Sequence, residues 1–388
     1  MGTLKVQGLH KTYGQTTAVD GIDLAIENGE FFAILGPSGA GKTTTLKCVA
    51  GLVDVDDGRI EISGQDMTGV EPYHRNVAMA FESYALYPQK SVFENLASPL
   101  RSGRSGRFSS QQQRERIETV TTTLGISHLL NRLPRELSNG QRQRVALGRV
   151  LVRPADIYLL DEPLSHLDAK LRSAMRAELK QLGQLSDITT LYVTHDYQEA
   201  LALGDRVGVM RAGRIVQVGT PEEVWKAPVD TFVARALGQP EMNLLDGRVE
   251  SGRIVVSAGS IDVPAPPSLH LADGQRVRVG IRPRDVSTAS AEPGRDSAGR
   301  LSMRDSAGRL SMRGTVELAE RLGRSVEMSV DVGGTQVIVV TSSDGARGEG
   351  DHVDLDVPLE HVHIFAGGDA GADTTRLGSA AMEGTQRI

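Results

Sequence analysis

At 388 residues the chain exceeds one ordinary domain, and a hydrophobic share of 39% is enough to fill more than one core. Its 43 basic and 49 acidic residues leave a net charge of −6, without the basic excess of a nucleic-acid-coating protein, so no nucleic-acid partner is expected. A single cysteine, Cys48, excludes an internal disulfide and fits a reducing cytosol, and no stretch approaches the roughly 20 apolar residues of a membrane span.

Residues 1–235 read as α/β. The start, Met1-Gly2-Thr3-Leu4-Lys5, leads into strand-like alternation and lacks the apolar core of a signal peptide, so any membrane role is expected to come through a partner. Ile22, Leu24 and Ile26 alternate in the same way, and Glu27-Asn28-Gly29-Glu30 reads as the turn into the apolar run Phe31-Phe32-Ala33-Ile34-Leu35. That run ends at a glycine-rich loop, and from Thr44 the pattern turns helical. A helical insertion is expected over about 83–150, with a Gly/Ser/Arg loop at 102–110 and a polar helix over 111–124. Ile157-Tyr158-Leu159-Leu160 and Leu191-Tyr192-Val193 read as short buried strands. Between them Leu167, Leu171, Met175, Leu179 and Leu182 recur at helical spacing. Strand, helix, strand with continuous apolar strands implies a parallel sheet covered on both faces.

Over 236–366 the chain shifts to short β runs, at 253–256, 276–279, 326–330, 336–340 and 352–357, as in a small barrel or sandwich. The nine residues Asp-Ser-Ala-Gly-Arg-Leu-Ser-Met-Arg at 296–304 recur unchanged at 305–313, too short and too few for a solenoid. They read as a duplication inside a surface loop. The Gly-, Ala- and Thr-rich stretch 367–388 reads as disordered.

Gly36-Pro37-Ser38-Gly39-Ala40-Gly41-Lys42-Thr43 fits the phosphate-loop pattern G-x-x-x-x-G-K-[ST] between a predicted strand and helix. Its glycines let backbone N–H groups converge on phosphate, and the helix start adds partial positive charge. Lys42 is expected to reach the β- and γ-phosphates of ATP, and the Thr43 hydroxyl to ligate Mg²⁺. Asp161, closing a buried strand, can hold Mg²⁺ directly or through water, and Glu162 is placed to accept a proton from attacking water.

Leu137-Ser138-Asn139-Gly140-Gln141 resembles the LSGGQ signature of ABC-type ATPases, which most other phosphate-loop proteins lack. Ser138 is a good helix N-cap and Gly140 can bring its N–H close to an anion. The resemblance implies that Ser138, Gly140 and Gln141 face ATP bound on a second ATPase subunit, either this chain or a paralogue. The same resemblance matches Tyr13 to an adenine-stacking aromatic and Asp168 to a residue joining two active sites. It matches His195 to a switch histidine at the γ-phosphate, and adds Gly36, Ser38, Gly39, Ala40, Gly41 and Thr44 to the nucleotide contacts. Phe81-Glu82-Ser83-Tyr84-Ala85-Leu86-Tyr87-Pro88, together with Gly280-Ile281-Arg282-Pro283 and His363-Ile364-Phe365, is similar to the carbohydrate-importer subfamily. The implied fold is a P-loop NTPase domain followed by an OB-like regulatory domain. The implied partners are two transmembrane permease subunits and an extracytoplasmic substrate-binding protein, with this subunit peripheral on the cytoplasmic face of the membrane. Implied catalytic residues are Glu162, His195 and Lys42; implied Mg²⁺ ligands are Thr43, Asp161 and Glu82.

Two positions depart from the pattern. Glu82 stands where the family has glutamine and adds a negative charge beside Asp161 and Glu162, which favours a paired paralogue. Asn139 stands at the first of the two signature glycines, an exchange eased by asparagine's tolerance of left-handed backbone. A non-transport ABC ATPase would carry coiled-coil insertions, a second cassette or a basic arm, none of which the sequence shows. A degenerate regulatory subunit conflicts with intact Lys42, Asp161, Glu162 and His195.

Overall fold

The structure is a computed structural model that describes residues 2–81, 86–101, 108–165, 167–186, 188–256, 259–288, 308–369 and 371–381. The chain divides into two units, 1–222 and 223–388.

The first unit opens with an antiparallel sheet in the order β2-β1-β4-β5, built from β1 (Leu4–Tyr13), β2 (Thr16–Ile26), β4 (Asp57–Ile62) and β5 (Gln65–Asp66). Leu4 pairs with Ile26 and Val6 with Leu24, and these side chains are buried while their neighbours are exposed, so the period-2 pattern sets the register. The second sheet contains β3 (Phe31–Leu35), β6 (Val77–Ala80), β7 (Ile157–Asp161), β8 (Thr190–Thr194), β9 (Arg206–Arg211) and β10 (Arg214–Gly219), in the order β10-β9-β3-β8-β7-β6. All its pairings are parallel except β10 with β9. Every residue of β3, β7 and β8 is buried, as a sheet covered on both faces requires.

Alternate residues serve two cores. Phe32, Ile34, Leu159, Leu191 and Val193 pack with the antiparallel sheet and with α1 (Lys42–Ala50). Phe31, Tyr158, Leu160 and Tyr192 pack with α2 (Val92–Ala97), α3 (Ser110–Thr123), α4 (Asn139–Leu151) and α5 (Ala169–Ser186). Gly148 lets α4 approach closely, because a Cβ there would lie 3.1 Å from both Leu96 Cδ2 and Leu124 Cδ1. A short α6 (Tyr197–Leu203) comes after β8.

The second unit carries α7 (Pro221–Lys226), which straddles the division, and α8 (Thr231–Ala236). The division falls before the expected 235 because these helices pack on the β-rich part of the chain: Ala234 joins Met242 and Phe365, and Arg282 lies 3.8 Å from the Trp225 ring centroid. One sheet has the order β13-β12-β11-β14-β20-β21, from β11 (Asn243–Glu250), β12 (Arg253–Val256), β13 (Ile261–Pro264), β14 (Arg276–Ile281), β20 (Val362–Ala366) and β21 (Arg376–Ser379). The other has the order β15-β19-β16-β17-β18, from β15 (Ser287–Thr288), β16 (Arg309–Leu322), β17 (Ser325–Val332), β18 (Thr335–Ser342) and β19 (His352–Pro358). Valines, isoleucines and leucines of both sheets form one core.

Two expectations need correction. The second copy of the duplication is not wholly a loop, since 309–313 opens β16. Leu310 (3% exposed) and Met312 (4%) point into the core, and Arg313 Nε donates to Asp354 Oδ1 at 2.5 Å across to β19. Alternation of apolar and polar residues suits a half-buried strand, and this outweighs the loop-like Asp-Ser-Ala-Gly before it. The first copy lies outside the described residues. The stretch after 366 is not all disordered either: β21 pairs with β20, Ala380 is fully buried, and Thr231 N donates to Thr374 O at 3.0 Å.

Candidate active site

The carboxyl ends of β3, β7 and β8 meet at one place, where an open parallel sheet offers backbone groups unclaimed by the ladder. Leaving β3, the chain turns through Gly36, Ser38, Gly39, Ala40 and Gly41 into α1. At two of these positions only glycine fits. A Cβ on Gly36 would lie 2.5 Å from Met210 O, and one on Gly41 (φ +105°) would lie 2.2 Å from Ala18 O. Lys42, Thr43 and Thr44 form the first helical turn, whose N–H groups have no partner within the helix.

Lys42 is 5% exposed, and its Nζ donates to Gly36 O at 2.8 Å and Pro37 O at 3.0 Å, with Glu162 Oε1 at 3.4 Å. The ammonium therefore sits inside the loop that would wrap a phosphate chain. Thr43 Oγ1 donates to Asp161 Oδ1 at 2.9 Å, which brings a hydroxyl and a buried carboxylate together. These are hard oxygen donors of the kind Mg²⁺ takes, and an ion held this way would complete its shell with phosphate oxygens and water. No group of three or more His, Cys, Asp or Glu side chains able to hold a metal exists among the described residues. Glu82 falls in the 82–85 stretch, outside the described residues.

Glu162 adopts φ +44°, a left-handed conformation costly for a non-glycine residue. Its N–H donates to Val193 O at 3.0 Å, and its Oε2 lies 2.7 Å from His195 Nδ1. The carboxylate is thereby aimed between Lys42 and His195, while His195 remains about half exposed. Lys42, Thr43, Asp161, Glu162 and His195 are thus brought together. Such a set can bind a polyphosphate and take a proton from water beside it.

Ser138, Gly140, Gln141, Asp168 and Tyr13 are not brought into this group; their hydrogen bonds are local. Ser138 caps α4, accepting from Gln141 N at 3.3 Å, and the Gln141 side chain returns an acceptor to Ser138 N at 3.0 Å. Asn139 is the first residue of α4 and needs no left-handed freedom, contrary to expectation; its Oδ1 accepts from Arg142 at 3.0 Å. Asp168 accepts from Leu171 N at 2.9 Å at the start of α5. Tyr13 is 49% exposed beside Lys11, on a strand end pinned by Asp56, whose carboxylate accepts from Lys11 Nζ at 2.7 Å, Thr12 N at 2.6 Å and Thr12 Oγ1 at 2.7 Å. Those bonds, the one from Lys11 foremost, hold the Asp56 carboxyl well below the usual range. Sequence reasoning missed Asp56, because Asp54-Val55-Asp56-Asp57-Gly58 looks like any polar turn.

A glycine-rich loop feeding a helix, with its threonine bonded to the aspartate that closes a strand two places away in the parallel sheet, defines a phosphate-loop nucleotide hydrolase; the capped signature helix narrows this to the ABC type. The sequence model of the ABC transporter family matches residues 19–165, that of the CysA C-terminal regulatory domain 243–287, and that of the TOBE domain 295–365. The trehalose/maltose import ATP-binding protein MalK of Thermococcus litoralis is 41% identical over 382 residues, covering 94% of this chain and 98% of the relative. The sn-glycerol-3-phosphate import ATP-binding protein UgpC 1 of Rhizobium johnstonii is 40% identical over 378 residues, covering 97% and 96%. Among solved structures, the dimeric ABC transporter cassette MJ0796 superposes with a TM-score of 0.52 at 29% identity, covering 56% of this chain and 98% of that one. This chain belongs to the family of ABC-transporter ATP-binding subunits, and its enzymatic activity is ATP hydrolysis.

Proposed function

We propose that this ATPase energises import of a sugar, polyol or related carbohydrate, working as one of a pair of ATPase subunits under two membrane permeases. The observation that carries the reading is the convergence of Lys42, the Thr43–Asp161 pair and the Glu162–His195 pair at three parallel strand ends. The relatives, named for trehalose/maltose import and sn-glycerol-3-phosphate import, supply the substrate class. No helix among the described residues is long and apolar enough to cross a membrane, so attachment to the cytoplasmic face is assigned to the permeases, with a substrate-binding protein on the far side.

In the proposed mechanism the phosphate chain lies on the 36–44 loop, where N–H groups and Lys42 stabilise its charge. Thr43 and Asp161 would hold Mg²⁺, which when bound neutralises phosphate charge. Glu162 Oε2 accepts the proton of the attacking water while His195 holds that carboxylate in place and meets the γ-phosphate. Tyr13 stacks on adenine, and Ser138, Gly140 and Gln141 face the nucleotide of the second subunit, to which Asp168 connects.

The test is Glu162→Gln in the full chain. Loss of the base is expected to cut phosphate release by about a hundredfold or more while ATP binding persists. Near-normal release would remove Glu162 from the role. Lys42→Ala is expected to weaken ATP binding itself, since it deletes a charge-assisted contact formed before chemistry.

A further inference from the structure

The segment before Asp168 and the segment bearing His195 are joined by one guanidinium fork. Arg172, in the first turn of α5, donates through Nη2 to Leu167 O at 3.1 Å and Ser165 O at 3.5 Å, both just before Asp168. Its Nη1 donates to Asp196 Oδ2 at 3.3 Å, and Asp196 comes after His195 and caps α6 through Gln198 N at 2.8 Å. Its Nε is buried without a hydrogen-bond partner and lies 3.8 Å from Glu199 Oε1.

Glu199 is 2% exposed, and its buried carboxyl group has its polar partners within the fold. Oε2 accepts from Tyr192 Oη at 2.7 Å and from Thr194 Oγ1 at 2.8 Å, and Thr194 Oγ1 in turn accepts from Asp196 N at 3.0 Å. Both neighbours of His195 are therefore tied to the Arg172–Glu199 pair: Thr194 through Glu199, Asp196 through Arg172. His195 itself, more than half exposed, is held by its 2.7 Å bond to Glu162 and by the backbone on either side of it. Pro163, Leu167 and Leu171, on the other side of the fork, reach the signature end of α4. A Cβ at Gly140 would meet Leu167 and Leu171 methyls at 3.3 Å, and Gln143 Nε2 donates to Pro163 O, one residue past Glu162.

We propose that Arg172 and Glu199 are positioning residues for hydrolysis, locking Ser165 and Leu167 to the His195 segment so that displacement of either side moves the histidine against Glu162. Neither touches the phosphate site; they act through His195. This inference rests on the reading of Glu162 and His195 as the hydrolytic pair. Removal of the fork leaves nucleotide binding intact, because its hydrogen bonds go to Ser165, Leu167 and Asp196 and not to the 36–44 loop, and lowers the chemical step. A misplacement of about 1 Å at a reacting group can cost up to a hundredfold in rate.

The experiment measures ATP-binding stoichiometry, KM and kcat of the full chain for Arg172→Ala, Arg172→Lys and Glu199→Gln. Arg172→Ala is expected to lower kcat about tenfold or more, with KM within about threefold and one nucleotide still bound per chain. Arg172→Lys is expected to recover part of kcat, since an ammonium restores the charge but only part of the fork. In single turnovers on a His195→Ala background, Arg172→Ala is expected to cost less than about twofold more, as two residues acting through one step do not add. Unchanged kcat, a fall in binding stoichiometry parallel to kcat, or fully multiplicative losses in the double variant would each overturn the positioning role. An inactive wild-type chain would instead overturn the hydrolytic reading, and this one with it, so the two failures are distinguishable.

Discussion

Asp56 shows how much a remote carboxylate can decide. Its side-chain bonds go to Lys11 and Thr12, and they fix the strand end from which Tyr13 projects. Asp56→Ala is therefore expected to raise the KM for ATP about threefold or more with kcat within about twofold, because a loosened aromatic weakens ground-state and transition-state binding alike. Steady-state kinetics decide it; an equal fall in kcat would place Asp56 elsewhere in the cycle. In the second unit, burial foremost, then Arg282, Arg376 and His361, pushes the His363 imidazole down to about 3 from its ordinary 6.5. The unfolded histidine takes up a proton near its ordinary value while the folded one stays neutral. The stabilisation is thus complete above that value and declines as pH falls toward about 3. Denaturant midpoints of the second unit are expected to drop between about pH 7.5 and about pH 5, and His363→Gln should flatten that slope. A variant with the wild-type slope would assign the pH dependence to other groups.

Strand β16 can be rebuilt from either copy of the repeat. Since 296–304 and 305–313 are identical, deleting 305–313 joins the first copy to Gly314 and restores the same residues, Arg-Leu-Ser-Met-Arg, at the same distance from the rest of β16. Melting temperature and ATPase rate are expected to stay close to wild type, because shortening a connection changes closure entropy by only about 0.6 kcal/mol per halving. In that shortened chain the single remaining copy has no substitute, and replacing its leucine by alanine is expected to cost about 2–5 kcal/mol by thermal unfolding. A large loss on the deletion alone would mean that the extra residues pack. The parallel sheet, the phosphate loop and the β-rich second half were legible in the sequence because their signals are local: apolar runs ended by glycines, and period-2 alternation. The rest stayed hidden because it depends on neighbours distant in sequence. Arg172 and Glu199 look like ordinary polar residues on amphipathic helices until folding sets them at Thr194, Asp196 and the segment before Asp168. The strand at 376–379 lacks apolar alternation and exists because β20 offers it an edge. Asn139 misleads in the opposite sense: its residue type suggests a left-handed turn, whereas the capping box keeps the chain helical.

The whole molecule has two units with separate cores, and the groups that converge on the phosphate loop belong to the first. A ligand stabilises only the fold that binds it. Calorimetry of the Glu162→Gln chain is expected to show two transitions. ATP at about a hundred times its dissociation constant should raise one of them by about 2.7 kcal/mol and leave the other in place. Movement of both together would show that the units unfold as one. For heredity, the nine-residue repeat makes the second unit forgiving. Loss of either copy gives the same polypeptide, so a copying slip in the gene that removes one repeat has a single outcome whichever copy is lost. That outcome keeps the sheet's sequence and lies in the unit without the phosphate loop. Selection on ATP hydrolysis or on the sandwich core would hardly see it, and lineages of this gene should differ in repeat number more readily than at almost any residue of the 36–44 loop.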